Sequence, residues 1–127
     1  MIDKMSSILA WGFNLWYQPP PPTAQTEKEI EHTINSHKIV IYSKTYCPFC
    51  DQTKHLLNEQ YPQESYEVIN LNILDDGLTI QNQLYANTGQ YMVPIIFING
   101  QHVGGNSEVQ QLHTNGKLQE LLNPQKY

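Results

Sequence analysis

The sequence predicts an α/β fold in which a small four-stranded mixed sheet lies between helices. Two observations lead to this prediction. Segments rich in β-branched residues, which predict strands, alternate along the chain with segments whose apolar residues recur at helical spacing. The predicted order is α-βαβ-α-ββ-α. The last two strands are separated only by Asn99-Gly100, a strong signal for a tight antiparallel hairpin. The chain of 127 residues is long enough for one such domain with one core.

The first half of the domain is predicted to form a helix and a βαβ unit. The helix covers residues 23–37, and Thr26 and Glu29 have the spacing of a capping box at its start. A buried strand at residues 38–42 and an alternating strand within residues 65–72 flank a second helix. Because a helix connects them, these two strands are expected to be parallel.

The second half is predicted to form a helix, a hairpin and a C-terminal helix. Residues 75–89 contain a helix of two to three turns that ends at a glycine. The hairpin pairs residues 94–98 with residues 101–103. Asn106 or Ser107 is expected to cap the final helix, which provides the last apolar face.

Both cysteines of the chain lie in one stretch, Tyr46-Cys47-Pro48-Phe49-Cys50, at the start of the second helix. Pro48 suits the first helical position, because its missing N–H would have had no partner there. Cys47 is therefore expected at a strand-to-helix turn, exposed above a helix N-terminus, whose free N–H groups and dipole favour a thiolate. A disulfide that closes so short a loop constrains the unfolded chain little, so the pair indicates redox chemistry rather than a structural bridge.

Composition argues against several other classes of function. The net charge is −5, and the 7 Lys and Arg residues form no cluster, so nucleic acid is not an expected partner. Half of a zinc site is the alternative for the cysteine pair, but the chain has no second pair that would supply the other ligands. We therefore expect no bound metal. The five histidines are scattered along the chain: His32, His37, His55, His102 and His113.

Residues 1–22 differ in composition from the domain at residues 23–127. Residues 8–17 are apolar and aromatic, and four prolines follow them. This run has about half the length that spans a bilayer. We expect a disordered extension, with contact to a membrane interface by residues 8–17 as the alternative. The expected compartment is the cytoplasm, and the alternatives are mitochondria or a membrane surface reached through this segment.

Three motifs give the chain a resemblance to the glutaredoxins, which have the thioredoxin-like fold. They are SKTYCPFC at residues 43–50, MVP at residues 92–94 and NGQHVGGNS at residues 99–107, in the order and spacing of that family. The resemblance covers about residues 25–123. Thioredoxins usually carry Trp before the first cysteine and Gly-Pro between the pair, so Tyr46 and the Pro-Phe pair indicate the dithiol branch of the glutaredoxins.

The resemblance implies an enzyme, a glutathione-dependent thiol-disulfide oxidoreductase that reduces protein–glutathione mixed disulfides and small disulfides. Cys47 would be the nucleophile and Cys50 the resolving thiol. Glutathione would be the co-substrate, and NADPH would act only through a separate glutathione reductase. The chain is expected to be a monomer. The positions that match glutathione-binding residues of the family are Lys44, Tyr46, Gln81, Val93, Pro94 and Ser107, and Pro94 matches the family's cis-proline.

Charges and two departures from the family pattern qualify this implication. Lys44 is expected to favour the thiolate and to bind a carboxylate of glutathione. Asp51 lies four residues past Cys47, and its charge is expected to oppose the thiolate. Tyr91 stands where many relatives have a basic residue, and Met92 replaces the usual threonine. These departures imply weaker binding of glutathione or a preference for a different disulfide.

Two other functions stay open at this point. The first is a glutathione-independent, thioredoxin-like disulfide reductase. The second is a scaffold in which two chains share a [2Fe–2S] cluster through Cys47 and glutathione. Pro48 argues against the scaffold, because a stiff turn hinders the chain from opening around a cluster.

Overall fold

The computed structural model describes residues 23–125. The predictions for residues 1–22, including a membrane contact by residues 8–17, lie outside the described residues. Within residues 23–125, no helix is both long enough and apolar enough to cross a lipid bilayer. The elements, in chain order, are α1 (Ala24–Ser36), β1 (Ile39–Ser43), α2 (Pro48–Gln60), β2 (Glu67–Asn70), α3 (Gly77–Thr88), β3 (Ile95–Ile98), β4 (Gln101–Gly104), α4 (Asn106–Thr114) and α5 (Lys117–Leu122).

The four strands form one mixed sheet in the order β2-β1-β3-β4. β1 and β2 are parallel, as predicted for a βαβ unit, and Ile41 lies beside Val68. β1 and β3 are antiparallel, and β3 and β4 form the predicted hairpin. Asn99 and Gly100 have φ angles of 51° and 80°, which is the left-handed backbone that a two-residue hairpin turn requires.

Each face of the sheet has its own core, because side chains alternate along β1. Ile39 and Ile41 pack against α2, α4 and α5, whereas Val40 and Tyr42 pack against α1 and α3. The first cluster also contains Leu56, Leu57, Tyr61, Ile96, Ile98, Val109, Leu118 and Leu122. The second also contains Ile30, Leu71, Ile80, Leu84, Ile95 and Phe97. Leu56 and Leu57 belong to α2, so this packing fixes the helix that begins just after Cys47.

The predicted capping box at Thr26 is wrong, because the N-cap of α1 lies three residues earlier in the chain. The N-cap of α1 is Thr23, whose Oγ1 accepts a hydrogen bond from the Thr26 N–H at 3.0 Å. Thr26 lies inside the first turn and is buried. The correction has a local cause, since Thr23 has the extended backbone that an N-cap needs, with φ −126° and ψ 162°.

The predicted caps of the final helix are also wrong. The N-cap of α4 is Gly105, whose N–H donates to Oε1 of Glu108 at 2.8 Å. Gly104 has a φ of 126°, a conformation that favours glycine, and so the chain turns before the helix rather than within it. Asn106 and Ser107 are therefore the first two residues of α4.

Candidate functional site

The two cysteines form a disulfide at the N-terminus of α2. Cys47 is the N-cap, and its Sγ accepts a hydrogen bond from the N–H of Cys50 at 3.1 Å. Pro48 occupies the first helical position, as predicted. After reduction of the disulfide, the same N–H group and the helix dipole would stabilise a thiolate on Cys47.

Cys47 is less exposed than the sequence predicts. Only 7% of its surface is accessible, and Cys50 is fully buried. The Sγ of Cys47 rests on the first turn of α2 and lies 3.9 Å from the carbonyl oxygen of Val93. The neighbours Tyr46 and Phe49 are 69% and 58% exposed. The prediction of an exposed nucleophile is wrong for this oxidised form, because the sulfur lies between the helix start and a second segment of the chain.

The segment before the helix, residues 44–47, is the cysteine turn. The N–H of Cys47 donates to the carbonyl oxygen of Lys44 at 3.2 Å, which closes the turn. Asn72 holds the turn from the side, since its Oδ1 accepts from the Thr45 N–H at 3.0 Å and its Nδ2 donates to Thr45 Oγ1 at 2.7 Å. Lys44 is half-buried at the start of this turn, and its predicted contact with glutathione stays a prediction.

The second segment, residues 91–94, is the proline loop. The peptide bond between Val93 and Pro94 is cis, as the resemblance implied. Pro94 is buried and Val93 is half-buried. The N–H of Val93 has no hydrogen-bond partner within residues 23–125. Beside the sulfur, this backbone group is available to pair with an extended peptide.

Gln81 supports the proline loop from inside the protein. Its side chain is only 2% exposed, and its Nε2 donates to the carbonyl oxygen of Tyr91 at 2.7 Å. Its Oε1 is buried and has no partner among the residues that the structure describes. The predicted contact of Gln81 with glutathione stays a prediction, because in this structure the carboxamide binds the loop itself.

Sequence reasoning missed Gln90, which holds the same loop. Its Nε2 donates to the carbonyl oxygens of Met92 and Pro94, both at 2.9 Å. Its Oε1 lies 2.7 Å from Nε2 of His102. The one available signal was the place of Gln90 two residues before the MVP motif, but a single glutamine has no distinctive pattern. Asn72, on the other side of the site, was missed for the same reason.

The N-terminus of α4 is tied to α2. Buried Asn106 accepts a hydrogen bond from Thr53 Oγ1 at 2.9 Å and donates to Gln52 Oε1 at 3.0 Å. Asn106 therefore links the two helices instead of capping one of them. Ser107 is exposed at the second position of α4. It thus lies at a helix start, where backbone N–H groups bind anions.

Lys44 and Asp51 are the charged side chains within four residues of Cys47 in the sequence. Asp51 is exposed and pairs with Lys54 at 3.5 Å.

On the far side of Gln90, burial lowers the pKa of His102, and the negative charge of Glu108 opposes part of that shift. Within residues 23–125, no group of three or more His, Cys, Asp and Glu side chains is arranged to bind a metal ion.

Comparison with known proteins identifies the family. The glutaredoxin family model matches residues 39–103, which include the cysteine pair and the proline loop. The chain belongs to the glutaredoxin family. Glutaredoxin-1 of Saccharomyces cerevisiae is 41% identical over 102 residues, which are 79% of this chain and 93% of the yeast protein.

Solved glutaredoxin structures share the fold. The buckwheat glutaredoxin–glutathione complex is 37% identical, with a TM-score of 0.72 over 80% of this chain and 94% of that one. Oxidised glutaredoxin 2 from Chlamydomonas reinhardtii is 38% identical, with a TM-score of 0.73 and the same coverage. The predicted thioredoxin-like fold is therefore confirmed. The chain is a thiol-disulfide oxidoreductase that acts with glutathione.

The rim of this glutaredoxin's site is apolar where the sequence departs from the family pattern. Met92 is 72% exposed, and Tyr91 contacts Tyr85 edge to face, with ring centroids 6.0 Å apart. Tyr46 and Phe49 are exposed on the other side of the sulfur. A substrate that approaches the sulfur therefore meets aromatic and thioether groups on both sides.

Proposed function

We propose that this glutaredoxin reduces protein–glutathione mixed disulfides and small disulfides, with Cys47 as the attacking thiolate and Cys50 as the resolving thiol. The environment of the Cys47 sulfur is the observation that carries the proposal. The sulfur caps α2, accepts the Cys50 N–H at 3.1 Å and adjoins Val93, whose own N–H is unpaired within residues 23–125. One place thus combines a stabilised thiolate with a backbone that can bind a peptide.

The first step transfers glutathione from the substrate to the enzyme. The Cys47 thiolate attacks the glutathione sulfur of the mixed disulfide, so a Cys47–glutathione disulfide forms and the bond to the substrate sulfur breaks. The substrate sulfur leaves as a thiolate and takes a proton from water. This step restores the substrate protein to its reduced form.

Two routes then regenerate the enzyme. In the first, a second glutathione thiolate attacks the bound glutathione sulfur, which releases glutathione disulfide and the Cys47 thiolate. In the second, the Cys50 thiolate attacks the Cys47 sulfur, expels glutathione and forms the Cys47–Cys50 disulfide seen in the structure. Two glutathione molecules reduce that disulfide. A separate NADPH-dependent glutathione reductase recycles the glutathione disulfide in either route.

Residues on both sides of the sulfur would hold the glutathione moiety. Its extended backbone would pair with the N–H and C=O of Val93, next to the cis Pro94. The start of α4 at Ser107 would hold one carboxylate, and Lys44 the other. Exposed Tyr46 would cover the bound tripeptide. The buckwheat relative, solved as a glutaredoxin–glutathione complex, supports this proposal.

The proposed partners follow from this chemistry. Glutathionylated proteins are the proposed substrates, and a monomer is the proposed active form. The cytoplasm is the proposed compartment, since regeneration consumes reduced glutathione.

Steady-state reduction of a glutathionylated peptide by glutathione, coupled to glutathione reductase, tests the proposal. Cys47→Ser should reduce the rate to that of the uncatalysed reaction, because no other thiolate is placed for attack. Cys50→Ser should keep the route that uses a second glutathione. An active Cys47→Ser variant would contradict the proposal. An inactive Cys50→Ser variant that had kept its fold would instead support a thioredoxin-like reductase that depends on both thiols.

A further inference from the structure

Gln90 forms hydrogen bonds that have no role in the reaction proposed above. It follows α3, and its own N–H donates to Thr88 Oγ1 at 3.0 Å, which fixes its backbone. Its side chain then bonds three groups at once: the carbonyl oxygens of Met92 and Pro94, at 2.9 Å each, and Nε2 of His102, at 2.7 Å. One carboxamide therefore connects both sides of the Val93–Pro94 bond to strand β4.

The hydrogen-bond inventory fixes the orientation of this carboxamide. The two hydrogens of the Gln90 amide nitrogen are both donated, one to Met92 and one to Pro94, so the Oε1 is left to accept. His102 must then carry its hydrogen on Nε2. The ring of His102 packs against Phe97, with centroids 5.5 Å apart, which holds the donor in place. His102 therefore sets which way the carboxamide of Gln90 points.

The contact with Met92 also sets the direction of the Val93 N–H. In a planar trans peptide, the carbonyl of Met92 and the N–H of Val93 belong to one unit and point in opposite directions. Because Gln90 binds the Met92 oxygen, the Val93 N–H points away from Gln90, where no protein group within residues 23–125 pairs with it. Binding of the Pro94 oxygen restrains the other end of the same segment.

We propose that Gln90 is a positioning residue for the glutathione moiety and that His102 orients it. Gln90 holds the Val93 N–H in the direction that pairs with the extended backbone of glutathione, and the Nε2–H of His102 fixes the carboxamide that does so. This inference rests on the proposed function, in which Val93 pairs with glutathione. It assigns roles in substrate affinity to two side chains that do not touch the reacting sulfurs.

The experiment compares two mixed disulfides of one peptide. In the first, the peptide cysteine carries glutathione; in the second, it carries 2-mercaptoethanol, which has no backbone to pair with Val93. The reduced chain reacts with an excess of each substrate in a single turnover, and the half-saturating concentration and the limiting rate are measured. The alkylation rate of reduced Cys47 by iodoacetamide and the melting temperature are measured for every variant.

Gln90→Leu removes the hydrogen bonds of the side chain and leaves a branched apolar side chain that is one bond shorter. It should raise the half-saturating concentration of the glutathionylated peptide about tenfold, which corresponds to about 1.4 kcal/mol of binding. The limiting rate, the alkylation rate and the reaction with the mercaptoethanol disulfide should stay within about twofold of the parent, because hydrogen bonds to Cys47 are unchanged. Gln60→Leu, at an exposed position at the end of α2, is the matched control and should change none of these values.

Two substitutions of His102 test its part separately, and they also serve if Gln90→Leu does not fold. His102→Phe keeps a ring against Phe97 but removes the donor, and it should raise the half-saturating concentration about threefold. His102→Gln carries an N–H at a similar reach and should restore the parent value. A raised value in both variants, or in neither, would contradict the role of the Nε2–H.

The outcomes separate this inference from the function on which it rests. If the parent itself shows no preference for the glutathionylated peptide over the mercaptoethanol disulfide, the proposed pairing with Val93 is wrong. If the parent shows the preference and Gln90→Leu retains it, the pairing stands and the role of Gln90 is overturned. A lower melting temperature with unchanged half-saturation would assign Gln90 to stability alone and would likewise overturn the proposal.

Discussion

The two segments on either side of the reactive sulfur are held in different ways. The cysteine turn is closed mainly by backbone N–H groups: that of Cys47 on the Lys44 carbonyl and that of Cys50 on the sulfur. The proline loop is held by side-chain amides instead. Gln81 and Gln90 donate to three of its four carbonyl oxygens, those of Tyr91, Met92 and Pro94.

This difference separates the two tasks of the site. Backbone geometry depends on few particular side chains, so the reactivity of Cys47 should tolerate most substitutions near the turn. The proline loop depends on two glutamines, and a change in either one should alter stability or substrate affinity without altering the chemistry of the sulfur. Substitutions at Gln81, at Asn72, in the Asp51–Lys54 pair and at His102 test this difference.

The largest effect is expected at Gln81. Gln81→Glu places a negative charge at a side chain that is 2% exposed, beside the carbonyl oxygen of Tyr91. We expect the free energy of unfolding to fall by about 3 kcal/mol in chemical denaturation. Gln81→Leu loses the hydrogen bond but also removes the unpaired Oε1, so it should cost about 1 kcal/mol. Equal losses in both variants would contradict the buried role of this amide.

A smaller effect is expected on the other side of the sulfur. Asn72→Ala removes the two hydrogen bonds to Thr45. It should lower the free energy of unfolding by about 1 kcal/mol and leave the alkylation rate of reduced Cys47 within about twofold of the parent. A much larger change in that rate would show that the cysteine turn, like the proline loop, depends on a distant side chain.

The charge of Asp51 should have a modest effect on the sulfur. Its side chain is 71% exposed and pairs with Lys54, so water and the lysine weaken its repulsion of the thiolate. Asp51→Asn should raise the alkylation rate of Cys47 about twofold under mildly acidic conditions, where the thiolate is incompletely formed. Lys54→Gln should lower the rate, because it leaves the carboxylate uncompensated. Changes of the same sign in the two variants would contradict this electrostatic explanation.

The smallest effect is expected on the pH dependence of the melting temperature, through His102, which contacts the proline loop by way of Gln90. Burial lowers the pKa of His102 below its usual 6.5, with Glu108 opposing. The folded chain therefore binds a proton at this ring less readily than the unfolded chain does. The neutral ring contributes to the free energy of unfolding above about pH 6.5, and this contribution is lost as the pH falls through the lowered pKa of the folded chain. Between about pH 7 and pH 5, the melting temperature of the parent should fall slightly more than that of His102→Gln. A steeper fall in the variant would contradict the direction of the pKa shift.

The features that the sequence predicted depend on patterns a few residues long. The hairpin follows from Asn99-Gly100, and the position of Cys47 as a helix N-cap follows from Pro48 directly after it. Such patterns record the backbone conformation that the residues prefer, so they can be recognised without the fold.

Several features of the site depend instead on side-chain contacts that no short residue pattern indicates. The burial of Cys47 comes from Val93, 46 residues later in the chain. The role of Asn106 comes from Thr53 in another helix. The amide of Gln90 acts on backbone carbonyls, which every residue possesses, so no pairing of residue types marks it. Only the packed fold shows these contacts.

The central claim is that the start of α2 keeps reduced Cys47 as a thiolate at neutral pH. The most direct measurement is the rate of alkylation of this cysteine by iodoacetamide as a function of pH, in the Cys50→Ser chain, where it is the only thiol. An ordinary cysteine ionises near pH 8.5. We predict a rate that has reached its plateau below about pH 7. A rate that still rises about tenfold per pH unit through neutrality, as for a free cysteine, would contradict the claim.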